Sequence, residues 1–189
     1  ELCAHLDCVS VERIAEELAK LLAAPAPSNY LNEKILDVIL PELSAEALEA
    51  AKPVLNACPA GTEDLPVRLA ALLYSLGEMG TRKVLKRLRY SNALIEETAV
   101  LVRESGAGEP EALVIYTRRL LGKYDLKTVQ RLAALGTAME PERAAEFAAL
   151  AQLAGQLEAD GVCCRVSQLA VNGRDLMAAG IPAGPKLRQ

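Results

Sequence analysis

Residues 62–77 read TEDLPVRLAALLYSLG, and this stretch decides the fold. Leu65, Leu69, Leu72, Leu73 and Leu76 return every three or four residues, which puts them on one side of a helix that needs another apolar surface against it. Pro66 suits a first helical turn, where its missing N–H has no partner to lose, and Gly77 is read as the exit. The same period continues on both sides. Upstream, residues 1–6 read as the end of a helix, and Ser10 caps the next, with Val11, Ile14, Leu18, Leu21 and Leu22 behind it and Pro25 and Pro27 closing it. A helix over 28–40 buries Leu31, Ile35, Val38 and Ile39 and stops at Pro41. Ser44 starts another, in which Leu48, Ala51 and Leu55 share a face and Pro53 forces a kink or an early end.

Downstream, Val84, Leu85 and Leu88 turn inward from a short basic helix over 81–89. Ser91 caps a helix to about 105, with Leu94, Ile95, Thr98, Leu101 and Val102 inward. Three more span 110–121, 125–135 and 141–159, with Gly122, Gly136 and Gly161 after them; Phe147, Leu150, Ala154 and Leu157 form the last buried stripe. In 169–189, LAVNGRDLMAAGIPAGPKLRQ, Asn172 caps a short helix that Gly180 ends, and Pro185 opens a further one. No segment alternates apolar and polar residues over a strand's length; 162–166 is the only doubtful stretch. The expected fold class is all-α, a multi-helix array with short loops.

Composition agrees. Apolar residues make up 51% of the 189 but aromatics only 3%, so Leu, Ala, Val and Ile must fill the interior, as helix-on-helix packing allows. No apolar run approaches the roughly 18 residues that would span a bilayer. Five cysteines, Cys3, Cys8, Cys58, Cys163 and Cys164, form no CxxC unit, and His5 is the one histidine. Neither a zinc site nor a disulfide framework is expected, and free thiols point to the cytoplasm. Net charge is −4, which argues against indiscriminate polyanion binding by the whole surface. The charge is uneven: 1–60 hold ten acids against four bases, whereas 81–131 hold eleven bases against six acids. Such asymmetry favours a polyanion meeting one part of the molecule.

The tail phrase Asn172-Gly173-Arg174-Asp175-Leu176-Met177, followed by Gly180-Ile181-Pro182 and Gly184-Pro185, resembles the tail of bacterial CCA-adding tRNA nucleotidyltransferases, the enzymes grouped with bacterial poly(A) polymerases. Ser10-Val11-Glu12-Arg13-Ile14 with Glu17 resembles the neck of the same family, where such a Ser, Glu and Arg set braces a helical turn. RLAALLYSLG and KRLRYSNALIEE look like its body. The resemblance implies the end of a neck over 1–24, a helical body over 25–108 and a helical tail over 109–189, both ends being expected to be cut from a longer protein. It also implies a parent that uses Mg2+ with ATP and CTP to add C, C and A to the 3' end of tRNA, with its own N-terminal head domain as the catalytic part. A bacterial poly(A) polymerase is the close alternative, and a helical protein-interaction module the rival of another class.

The chain itself lacks the chemistry of such a head. There is no Asp-x-Asp pair to hold magnesium ions, and Glu16 and Glu17, like Glu96 and Glu97, are adjacent in helices and so point to different sides. Tyr74 and Ser75 stand where a metal phosphohydrolase would carry its His-Asp pair. With His5 alone to serve as base, no nucleophilic triad is credible, and no catalytic or metal-ligating residue and no cofactor is expected within 1–189. What remains is recognition. Lys83, Lys86, Arg87, Arg118, Arg119, Lys123 and Lys127 on body and adjoining helices, with Arg174, Lys186 and Arg188 in the tail, are the expected phosphate contacts to the acceptor stem and elbow of tRNA. Ser10, Glu12, Arg13 and Glu17 are the expected neck set.

Overall fold

The computed structural model describes residues 9–105, 112–165, 168 and 173–178, and every described element is helical. In chain order they are α1 (Val11–Ala23), a 3₁₀ turn (Pro27–Tyr30), α2 (Glu33–Ile39), α3 (Ala45–Ala57), a second 3₁₀ turn (Thr62–Asp64), α4 (Leu65–Leu73), a third (Tyr74–Leu76), α5 (Gly77–Arg87), α6 (Asn92–Ser105), α7 (Leu113–Lys123), α8 (Leu126–Met139), a fourth (Pro141–Arg143), α9 (Ala144–Ala159) and α10 (Gly173–Ala178). Several starts are set by side-chain caps that accept from an otherwise unpaired N–H. Ser10 Oγ accepts from Arg13, Ser44 Oγ from Ala47, Ser91 Oγ from Leu94 and the Asp125 carboxylate from Thr128. No described helix is long and apolar enough to cross a membrane.

α4 is the centre. It packs on α1, α3, α6 and α8, and every residue from 66 to 73 is buried. A helix covered on all sides gains more than the one-sided stripe its leucines suggest, since each fully buried Leu contributes about 1.5–3 kcal/mol relative to exposure. Around it α5 lies on α6, and α8 on α6 and α9, while α7 closes against α9. One apolar cluster runs from Ala15 in α1 to Leu157 in α9.

Five boundaries differ from the sequence reading. The expected helix over 28–40 is interrupted: the chain is extended at Leu31, and Asn32 caps a fresh start by accepting from Lys34. That phase buries Leu36 and Leu40 and leaves Ile35 and Val38 exposed. α3 continues through Pro53, because Pro53 and Glu49 one turn earlier are on the exposed side, where water serves the carbonyl that proline cannot. Gly77 is an entrance: with φ +64° it turns the chain directly from the third 3₁₀ turn into α5. α7 and α8 run through Gly122 and Gly136, so these glycines do not end their helices.

Candidate nucleic-acid interface

The inner side of α5 is held by Val84 and Leu85, with Leu88 just past its end, so 79, 83 and 86 face water one turn apart. Met79 is 76% exposed, and the ammonium groups of Lys83 and Lys86 carry no ion pair among the described residues. Their neighbours on the same helix are used differently. Arg82 donates from Nε (3.2 Å) and Nη2 (3.0 Å) to Glu78 and pairs with Glu96 on α6. Arg87 grips both carboxylate oxygens of Glu42, at 2.9 and 2.7 Å, and donates to the Ile39 carbonyl at 2.9 Å. Burial raises the Glu42 carboxyl, but hydrogen bonds from Arg87 and from its own backbone outweigh that and hold it below the usual range. Arg87 therefore ties α5 to the connection between α2 and α3.

Arg118 and Lys123 are exposed on α7 and carry no ion pair among the described residues. The Arg119 guanidinium lies 5.1 Å from the centre of the Tyr116 ring, a cation–π contact that holds it flat on the helix. Lys127, in the first turn of α8, meets Glu63 at 3.1 Å, and both are well exposed, so the pair is weak and open to exchange. Arg174 falls in α10, but its side chain, like the whole of Lys186 and Arg188, lies outside the described residues. Among the described residues, Lys83 and Lys86 on α5 and Arg118 and Lys123 on α7 are exposed and carry no ion pair.

A network joins the helices that carry them. Glu78 on α5 accepts from Arg82 and from Arg103 of α6, at 3.1 Å. Arg103 also donates to Glu104 (3.3 Å) and to the Tyr124 hydroxyl (2.5 Å), which itself donates to buried Glu104 at 2.7 Å. Arg165, after α9, donates to the Leu121 and Tyr124 carbonyls at 2.9 and 2.7 Å and so caps α7. None of these residues was singled out from sequence. Glu78 and Arg82, four apart on one helix, were the legible signal.

The neck set divides. Ser10 caps α1, as above, and Glu17 pairs with Lys20 within the helix at 2.7 Å. Glu12 reaches Arg89, 77 residues later, and thereby fastens α1 to the end of α5. Tyr90 reinforces that joint by donating to the Ala15 carbonyl at 2.8 Å. Arg13 stays exposed with no ion pair among the described residues.

The described residues do not fit a magnesium site. Glu96 and Glu97 turn apart, to Arg82 and Arg131, and no group of three His, Cys, Asp or Glu among the described residues could hold a metal ion.

Comparison with known families places these features. Residues 66–189, which include α5, α7 and the tail phrase, match the family described as tRNA nucleotidyltransferase domain 2. The chain belongs to that family. Residues 1–47 match a second model, described as the "Probable RNA and SrmB- binding site of polymerase A". Comparisons with curated proteins and with solved structures return no match. The two models meet this tRNA nucleotidyltransferase domain 2 chain where the sequence showed its sharpest phrases: Ser10 to Glu17 falls in the RNA-binding match and Asn172 to Pro185 in the other. An RNA-binding region of the nucleotidyltransferase and poly(A) polymerase group is the function they support.

Proposed function

We propose that this chain is the part of a CCA-adding tRNA nucleotidyltransferase that grips tRNA by its acceptor stem and elbow, in the cytoplasm, while a head domain N-terminal to it adds C, C and A to the 3' end with Mg2+, ATP and CTP. The end being extended has to stay with the catalytic carboxylates while the rest of the RNA is held at a fixed distance, and a rigid helical clamp meets that need. The observation that carries the reading is the α5 stripe. Lys83 and Lys86 project into water from a helix whose flanking arginines, Arg82 and Arg87, are both spent on fixing it in place. Two free cations on an immobilised helix make position-setting phosphate contacts without reading bases, as recognition of an RNA by shape requires.

The test is titration of the protein with tRNA at two salt concentrations. Affinity should fall steeply with salt, and Lys83→Glu with Lys86→Glu should weaken binding to every tRNA alike and lower the salt slope by about 1 for each phosphate no longer neutralised. Arg87→Glu is a poor probe, because it breaks the Glu42 tie and loosens the helix itself. The same clamp would serve a poly(A) polymerase; supplying CTP and ATP to the protein with its head and sequencing the product, CCA or an adenylate run, separates the two. Binding indifferent to salt and to both lysines would favour the protein-interaction reading. The exposed row Leu113, Val114 and Ile115 on α7 is the surface that supports it.

A further inference from the structure

Glu104, near the end of α6, is 6% exposed, and an acid so placed is costly unless donors reach it. Two do: Arg103 Nε at 3.3 Å and the Tyr124 hydroxyl at 2.7 Å. Burial and the bond to Glu104 raise the Tyr124 hydroxyl above its usual range, so it keeps its proton and donates at neutral pH. The same Arg103 reaches two other helices with its remaining nitrogens, Nη1 to Glu78 at 3.1 Å and Nη2 to the Tyr124 oxygen at 2.5 Å. Glu78 stands in the first turn of α5, and Tyr124 is the residue that ends α7. One guanidinium on α6 therefore joins the helix that exposes Lys83 and Lys86 to the helix that exposes Arg118 and Lys123.

We propose, resting on the RNA-gripping function above, that Arg103 is a positioning residue. Oriented by buried Glu104, it fixes the separation between the α5 cations and the α7 cations, so that both groups meet the phosphates of one RNA as a single surface. Both ends of the joint are themselves anchored. Glu78 is held by Arg82 as well, at 3.0 Å, and the Leu121 and Tyr124 carbonyls accept from Arg165 at 2.9 and 2.7 Å, which keeps the end of α7 from swinging. Rigidity of this kind has an energetic consequence. Once one group of cations is on the polyanion, the other is presented at a high effective concentration, and that advantage is lost when the two groups move independently. A network of charged and hydroxyl groups also holds its geometry more tightly than one surface ion pair, because each bond polarises the next.

Tyr124→Phe cuts the α7 side of the joint with the loss of one oxygen and no charge, so electrostatics alone leaves the affinity for tRNA unchanged. A positioning role instead lowers that affinity by roughly threefold or more, measured at low salt where binding is strong. The loss should vanish when Tyr124→Phe is added to Arg118→Gln with Lys123→Gln, because the cations to be positioned are gone. Glu78→Ala cuts the α5 side and serves if Tyr124→Phe folds poorly; it too should weaken binding, although removing a negative charge by itself favours a polyanion. Unchanged affinity in both variants, or no loss on replacing the α7 cations, overturns the positioning role, and the RNA-gripping function survives as long as Lys83→Glu with Lys86→Glu still weakens binding. A Tyr124→Phe loss of equal size with and without the α7 cations also overturns it, since general loosening of the fold gives that result. Binding indifferent to the cations of both helices overturns the RNA-gripping function and the positioning role together.

Discussion

Arg68 forms no ion pair among the described residues and has no exposed surface, yet it lies at the centre of the molecule. Its guanidinium donates to four carbonyls: Leu22 and Ala24 at the end of α1, and Cys58 (3.1 Å) and Pro59 (2.7 Å) at the end of α3. Helix C-termini leave carbonyls without donors and carry partial negative charge, so two helix ends together stand in for a counter-ion. Arg68→Met keeps the bulk and removes every donor, and should cost about 3 kcal/mol or more by urea denaturation. Arg68→Lys should recover only part of this, because one ammonium cannot copy a planar fork of five donors. A loss below about 1 kcal/mol for Arg68→Met would show that water replaces the guanidinium. In the sequence this arginine interrupts an apolar stripe and looks like a solvated charge. Arg87 misleads in the opposite sense, because its neighbours in a basic run do not disclose that Glu42, 45 residues earlier, will meet it.

Among the elements, α8 and α9 pack directly on one another at Gly136. A Cβ there would lie 2.6 Å from ring atoms of Phe147, so the glycine lets α9 seat its one aromatic ring directly on the α8 backbone. Gly136→Ala should therefore destabilise the protein by about 1–3 kcal/mol, even though alanine is the better helix former, and Phe147→Leu in the same chain should return part of the loss. Thermal unfolding of the two variants measures this; a more stable Gly136→Ala protein would mean that the ring simply moves aside. The sequence reading took Gly136 for a helix stop, since a packing glycine and a terminating glycine look alike without the partner helix. Periodicity located α1, α6 and α9 well. It missed the phase of α2, where the turn at Pro27–Tyr30 and the Asn32 cap reset the helix.

At the scale of the whole molecule, a buried thiol and a half-buried phenol make stability depend on alkali. Burial pushes the Cys58 thiol up to about 11 from 9.0, and the Tyr90 hydroxyl up to about 12. In each case the unfolded chain gives up its proton at lower pH than the folded one, so the folded state binds more protons across that interval and stability must fall as pH rises through it. Urea midpoints measured upward from pH 9 should decline toward pH 11, and Cys58→Ala should remove the earlier part of the decline. An unchanged slope in Cys58→Ala would assign the effect elsewhere. Alkylation offers a second readout: exposed Cys163 should react in the folded protein while Cys58 stays protected.

By itself the sequence determined that the chain is helical, where most helices lie, and which family phrases it carries, because a 3.6-residue period, caps and turn residues act over neighbours a few positions apart. Only the tertiary structure decided which cations are free. Lys83 and Arg87 are alike to a pattern reader, and what separates them is the arrival of a carboxylate from a distant part of the chain. Electrostatic fate depends on distances of a few ångströms between residues far apart in sequence, and only the packed helices set those distances.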